Sequence, residues 1–452
     1  MHREHRRRLL EMLREQRAAA VVPTATHKVR NHDSEYRFRP DSDFWYLTGF
    51  AEPEAVLVLL PRSTRAAKNG AEAAGDPKET ILFLRDKDRE RETWTGRRLG
   101  VAAAASTLGV DEARPIERLW SDLPALLQNY ERIVYRTGID GARDQRVLDT
   151  ITKLRWNARG MIVPPLETMD VAPFCHELRL KKSAAEIETM RRAAQVSREA
   201  HVQAMKKARP GVGENEIDAL IDYTFRRLGS TGAAYTNIVA GGANACILHY
   251  VENNRPLRDG DLVLIDAGAE WDFYASDVTR TFPVNGRFDP AQRAVYEIVL
   301  AAQLAAIDHV RPGVTFVSVH ERALEVLCAG LVRLGLLAGT AKEVIEKEAY
   351  KRFYMHRTSH WLGLDVHDCG AYVRDGSSRM LEPGMVLTVE PGLYIAEDDD
   401  TVDARWRGIG VRIEDDVLVT ASGHDVLTAG IPKRIEEIEA TCQGRTLEPV
   451  SG

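Results

Sequence analysis

The stretch DLVLIDAGAEWDFYASDVTRTFPV (261–284) and its later echo GMVLTVEPG (384–392) decide how the second half of the chain is read. In the first, the apolar run LVLI ends on Asp266 and a second acid, Asp277, follows on the next extended segment; in the second, VLTV ends on Glu390. Short apolar runs bounded by turn residues read as buried strands. Asp266 and Glu390 each fall six residues after a glycine, Gly260 and Gly384. Taken singly, an acid at a strand end is most often a turn or cap residue. Core packing alone, however, has no reason to finish two matched strands with a carboxylate.

The echo extends outward. RPGV occurs at 209–212 and at 311–314, each time between helical patterns, and the helices that follow end in RRLG (226–229) and VRLG (332–335). His249-Tyr250 stands ahead of the first acidic strand and His360-Trp361 ahead of the second. A spacing of about 100 residues is too long for a solenoid, so the repeat predicts two related halves that close around a shared site.

His360, in HRTSHWLGLDVHD (356–368), and Glu414, in GIGVRIEDDVLV (408–419), complete a set of five with Asp266, Asp277 and Glu390. Four carboxylates and one imidazole form a hard, oxygen-rich donor set that suits Mn²⁺ or a similar divalent ion. Without cations such carboxylates would repel and raise one another's pKa values, so two ions fit better than one. A pair held about 3.5–4 Å apart binds a hydroxide and polarises a carbonyl, which is the chemistry of hydrolysis. Arg412 lies two residues before Glu414, so strand alternation puts both on one face, where its guanidinium can hold a carboxylate. Tyr394 follows Pro391-Gly392 and is placed to hydrogen-bond to the Glu390 strand.

These residues carry a family resemblance. HYVENN, DLVLIDAG, SDVTRTFPV, SHWLGLDVHD, EPGMVLTVEPGLY and GIGVRIEDDVLVT resemble the motifs of the M24 metallopeptidases with the pita-bread fold, most closely the aminopeptidase P branch. DSEYRFRPDSDFWYLTGFAEPEAVLVLLP (33–61) and TWTGRRLG (93–100) are similar to the amino-terminal domain of its bacterial type. The resemblance spans roughly residues 5–440 and departs from the pattern at 65–79, at 397–403 and after about 440. It implies cleavage of the first residue from peptides with proline second, with Glu390 bridging the metals and taking a proton from water. It also implies that His249 and His367 line the pocket on either side of the scissile bond, with His356, Tyr394 and Arg412 assisting substrate. In that family the amino-terminal domain of one subunit reaches the active site of another, which would give Asp33 and Trp94, and with them Arg159, a substrate-binding role in trans within a homo-oligomer, a dimer or tetramer. Prolidase shares the five ligands but takes only dipeptides; a third reading is an inactive peptide-binding module, which would have no need of the ligands.

At 452 residues, 44% hydrophobic and 28% charged, the chain reads as an ordinary globular protein of two or three domains. A net charge of −6, with no basic surface interleaved with aromatics, argues against a nucleic-acid partner. No long apolar run suggests a membrane span, and no signal-peptide core precedes a cleavage site. Five widely spaced cysteines without a CxxC pair indicate reduced thiols and a cytoplasmic location.

Strand-like runs at 55–61, 80–84 and 132–138 alternate with helical ones at 116–128 and 143–156, predicting an α/β domain with a mixed sheet over 1–175. The Glu-interleaved, Arg-rich segment 2–17 reads as a solvated surface helix. The proline-bearing segment 163–183 reads as a linker. Ser183 and Glu186 form a capping-box signature, and a pseudo-symmetric pita-bread catalytic domain is expected over 176–440. Segment 65–79 reads as a surface loop and 441–452 as a disordered tail.

Overall fold

The computed structural model describes residues 1–62, 78–160 and 162–444. They divide into two compact units, one from Met1 to Arg179 and the other from Leu180 onward.

The first unit is built on a six-stranded sheet in the order Glu112–Pro115, Thr80–Leu84, Val56–Leu59, Ala18–Pro23, Arg132–Val134, Glu167–Met169. Its centre is antiparallel and its flanks parallel, so it is mixed, as the alternation of strand and helix predicts. Helices Leu119–Leu127 and Gly141–Trp156 bury Leu123, Val147 and Ile151 against Val21, Val58 and Phe83 of the sheet.

Two expectations need correction. Segment 163–183 is no bare linker: it contributes the edge strand Glu167–Met169 and helix Ala172–Leu180. Pro164 and Pro165 precede the strand, Pro173 sits in the first turn of the helix, where its missing N–H costs nothing, and the helix buries Phe174 and Cys175, which outweighs the turn-like composition. Helix His2–Glu15 is only half solvated. Leu9, Leu10 and Leu13 are buried, and so is Arg6, whose guanidinium donates to the carbonyls of Leu47, Leu108 and Gly109. Those carbonyls belong to the C-terminal ends of helices Ser42–Thr48 and Val101–Leu108, which have no partners of their own within the helix. The loop expected at 65–79 lies, except for its last two residues, outside the described residues, as does the tail beyond 444; helix Ile435–Cys442 carries the chain into that tail.

The second unit repeats one motif. Helices Ala184–Lys207 and Glu214–Arg227 precede the antiparallel strands Ile238–Gly241, Leu262–Asp266 and Thr279–Pro283. Helices Pro290–His309 and Phe316–Arg333 precede strands Val386–Val389, Asp415–Val419 and His424–Val426. The capping box at Ser183 and Glu186 opens the first helix. In each RPGV the glycine adopts positive φ, +90° at Gly211 and +84° at Gly313. Each then donates its amide to a later leucine, Gly211 to Leu257 and Gly313 to Leu381. Gly260 and Gly384 are likewise left-handed, a conformation that costs a residue with a Cβ.

The halves meet along strand Thr279–Pro283 and the run 409–414. Glu414 donates its amide to the Thr279 carbonyl, and Thr281 and Arg412 exchange hydrogen bonds. Arg280 and Asp415, both fully buried, pair at 2.8 Å across this seam. The register shows that they are counterparts: Arg280 lies opposite Ile265, and Asp415 opposite Val389, one residue before the acid that follows each strand position. Burial would push the Asp415 carboxyl up, but Arg280 and Lys433 outweigh it and hold it below the usual carboxylate range. Arg280 also donates to the carbonyls of Thr279, Glu414, Ile431 and Pro432.

Removing one partner of such a pair leaves a buried charge exposed to a low dielectric. Arg280→Met is expected to destabilise the second unit by about 3–5 kcal/mol, read as a fall in its calorimetric unfolding midpoint. An unchanged midpoint would show that Lys433, Gln303 and Thr428, which also bind Asp415, suffice without it.

Candidate metal centre

Strand pairing brings the acids together. Asp266 ends its strand opposite Thr279, and Asp277 precedes Thr279 by two residues. Val389 pairs with Asp415, and extending that antiparallel register by one residue sets Glu390 opposite Glu414. Segment 358–361 runs beside the Glu390 strand: the Glu390 amide donates to the Thr358 carbonyl, the His360 amide to the Thr388 hydroxyl, and the Thr388 amide to the His360 carbonyl. This fixes His360 over the acids, its Nε2 at 3.3 Å from Asp277 and 3.6 Å from Glu390.

The sequence echo between His249-Tyr250 and His360-Trp361 is not the structural correspondence. His360 lies opposite Thr388 as Ala240 lies opposite Leu264. The imidazole therefore has no counterpart in the first half.

Asp277, His360 and Glu414 each offer a donor atom within 4.8 Å of the others, a spacing that suits one cation. Asp266 and Glu390 line the same cavity of about 940 Å³. Burial, then repulsion from the neighbouring acids, raises Glu414 well above the ordinary range. Burial lifts Glu390 to about 7 against the pull of His360 and Arg412, and it lifts Asp266 against the same arginine. For His360 burial works against the charge, yet Asp277 and Glu390 outweigh it and hold the ring up at about 9. Such shifts mark a pocket with more negative charge than the protein itself neutralises.

Tyr235 makes the same point in geometry. Its hydroxyl oxygen lies 2.6 Å from Oδ1 of Asp266 and 2.6 Å from Oδ1 of Asp277. One hydroxyl proton serves one of these carboxylates, so the second close contact needs either a further proton or a cation. The donor set, its excess charge and this pinch all fit divalent cations.

The remaining charge is ordered. Arg412 donates to Asp266 Oδ2 at 2.6 Å, to the Tyr394 hydroxyl at 3.1 Å and to the Thr279 hydroxyl at 3.0 Å. The Thr279 hydroxyl in turn donates to Glu414 at 2.7 Å, and Tyr394 meets His356 Nε2 at 2.8 Å. The tyrosine thus reaches Arg412 and His356 rather than the Glu390 carboxylate. Burial and the charge of Arg412 lower His356 to about 3, so its ring is neutral. His249 and His367 are exposed on the cavity, His367 with its ring centre 4.4 Å from that of His360. Asp33, Trp94 and Arg159 lie in the first unit and are solvent-exposed, Trp94 at 85%, which excludes a core role for that indole.

Sequence reasoning missed Tyr235, Thr279 and Asp416. Alternation from Asp277 could have found Thr279. Asp416, buried and accepting the Asp277 amide, sits in the quoted IEDD run. Tyr235 comes from a loop 31 residues before Asp266 and carries no local signal.

The sequence profile of metallopeptidase family M24 matches residues 188–421, and that of the aminopeptidase P N-terminal domain matches 2–135. The chain belongs to metallopeptidase family M24. The Xaa-Pro aminopeptidase of Escherichia coli is 45% identical over 437 residues, covering 97% of this chain and 96% of that protein. The Haemophilus influenzae Xaa-Pro aminopeptidase is also 45% identical, covering 93% of this chain and 92% of its own. Among solved structures, Pseudomonas aeruginosa aminopeptidase PepP superposes with a TM-score of 0.93 at 49% identity, covering 98% of this chain and 97% of that one. Escherichia coli aminopeptidase P with the inhibitor Pro-Leu gives 0.91 at 44%, covering 98% of each. This metallopeptidase therefore shares the two-part architecture of aminopeptidase P, with the M24 part carrying the acidic cavity.

Replacing Tyr235 by Phe removes the hydroxyl between Asp266 and Asp277. Outer groups that orient ligands are worth about 10–100-fold in metal affinity, so Tyr235→Phe should lose metal to a competing chelator at correspondingly lower chelator concentration. Unaltered competition would make the tyrosine a packing residue.

Proposed function

We propose that this metallopeptidase is an Xaa-Pro aminopeptidase, removing the first residue from peptides whose second residue is proline. The observation that carries the reading is the convergence of Asp266, Asp277, His360, Glu390 and Glu414 on one cavity, in a chain whose relatives of that name match it nearly end to end. The five residues would hold two divalent ions, Mn²⁺ by the hardness of the donor set. When bound, the ions supply Lewis acidity, which polarises a peptide carbonyl and lowers the pKa of water.

The chain's own groups do the rest. Glu390 accepts the proton of the attacking water, a role that asks for a carboxylate held near working pH. Arg412 neutralises Asp266 and, through Tyr394, fixes the neutral imidazole of His356. His249 and His367, exposed on the cavity, bind the peptide and carry the proton that the departing nitrogen needs. A proline nitrogen bears no hydrogen and its ring fixes φ, so the site must pack the ring as well as protonate that nitrogen, and Ile238, Leu248, Val251 and Val366 give the cavity apolar walls for the ring.

We assign an amino-terminal domain to 1–175 and the catalytic domain to 176–440. Exposed Asp33, Trp94 and Arg159 would serve a neighbouring subunit's site in a homo-oligomer. Five free cysteines favour the cytoplasm. No helix among the described residues is long and apolar enough to cross a membrane.

Chelated protein should be inactive and regain cleavage of an Xaa-Pro-Yaa peptide at the Xaa-Pro bond with Mn²⁺, while an Xaa-Ala-Yaa control stays intact. Confinement to Xaa-Pro dipeptides would make the protein a prolidase instead. Glu390→Gln should lower kcat by at least about 10²–10⁴-fold, the worth of a general base, with the fold retained by circular dichroism. A rate near that of the unaltered protein would remove Glu390 from the proton transfer.

A further inference from the structure

One wall of the cavity carries groups that peptide hydrolysis leaves unused. Phe316, Val317 and His320, from the first turns of helix Phe316–Arg333, line it together with Arg357, Tyr372 and Ser378. The wall is firmly held. The Phe316 ring centre lies 4.6 Å from that of Trp361 and 4.8 Å from that of Tyr372. The Phe316 and Val317 amides donate to the Arg379 carbonyl and the Ser378 hydroxyl.

His320 is oriented by a chain of hydroxyls. Its Nδ1 lies 2.8 Å from the Thr358 hydroxyl, which lies 2.7 Å from the Tyr354 hydroxyl. Burial raises Tyr354 well above the usual phenol range, so it keeps its proton. Where the chain of donors runs from Tyr354 through Thr358 to Nδ1, the neutral ring carries its hydrogen on Nε2. Burial and the nearby charge of Arg357 lower His320 to about 4, in keeping with a neutral ring. Nε2 has no partner among the described residues.

Arg357 lies three residues before His360 and is exposed on the same cavity. Its guanidinium makes no hydrogen bond or ion pair among the described residues. Arg412, by contrast, is fully engaged with Asp266, Tyr394 and Thr279. An unmatched guanidinium fork and an oriented imidazole lining the same largely apolar wall have the chemistry of a carboxylate site.

We propose that Arg357 and Nε2 of His320 form an anion-recognising subsite of the peptide cavity, favouring substrates that bring a carboxylate to this wall. The inference rests on the peptidase reading and adds a substrate class to it. The carboxylate has two sources, the C-terminus of a short peptide or an acidic side chain.

The test compares kcat/KM for four substrates in the Mn²⁺-loaded protein: Ala-Pro-Ala, its C-terminal amide, and two amidated peptides carrying Glu before or after the proline. Cleavage of the neutral amide checks the peptidase reading by itself. The subsite is read from the ratio of each carboxylate-bearing peptide to that amide. Arg357→Gln should lower at least one ratio by about three- to tenfold, mainly through KM, the scale of a partly solvated charge-assisted contact. Added salt should lower the same ratio in the unaltered protein. Loss confined to Ala-Pro-Ala assigns the C-terminal carboxylate, and loss confined to a Glu peptide assigns the side chain. His320→Phe should lower the affected ratio as well. If the amide is cleaved and no ratio responds to Arg357→Gln, the subsite is overturned while the peptidase reading stands; if an Arg357 effect appears without a His320 effect, the imidazole has no part in it.

Discussion

Four carboxylates held in one buried hollow are the constraint to which the rest of the second unit answers. Burial, with repulsion among Asp266, Asp277, Glu390 and Glu414 added to it, lifts three of their pKa values, and the acids hold His360 toward its charged form. A chain cannot keep such groups together by side-chain contacts alone. Here the work is done by backbone. Each acid sits at the end of an antiparallel pair or within two residues of it, so the ladder hydrogen bonds limit where its Cα can lie.

Duplication supplies that frame. The glycines of the two RPGV turns, the amides they donate and the strand registers correspond closely in the two halves. The seam between them carries a fully buried ion pair, Arg280 with Asp415, formed by counterpart positions. Desolvating two charges is costly, and hydrophobic replacements of similar volume are often as stable. What the pair adds is register: Arg280 reaches the carbonyls of Glu414, Ile431 and Pro432 as well as the Asp415 carboxylate, so a slip along the seam would orphan several buried groups together.

Much of this could be read from sequence because it is local. Apolar runs closed by acids, glycines at fixed offsets and the paired RPGV turns all fall within windows of a few residues, so the two-half frame and the matched acids Asp266 and Glu390 are legible from spacing. What escaped reading is what the fold brings from afar. Tyr235 meets its two acids only because a loop between short strands folds over them. Arg6 looks like one more charge on a solvated helix until two other helices end against it. The segment 163–183 has linker-like composition, and only burial of Phe174 and Cys175 shows why it is ordered.

The frame is symmetric, but a peptide is not, so the useful features are those in which the halves differ. His360 stands where the first half has Ala240. Two residues before Thr279 lies Asp277, and two before its counterpart Glu414 lies Arg412, an acid in one half matched by a cation in the other. The result is a hollow with an acidic, imidazole-bearing side and a side where Arg412 neutralises Asp266 and holds Tyr394. A hollow with two unlike sides can tell one end of a peptide from the other, which two identical halves could not. Directional chemistry on a duplicated scaffold thus depends on a few broken correspondences, each of which the symmetric backbone holds in place.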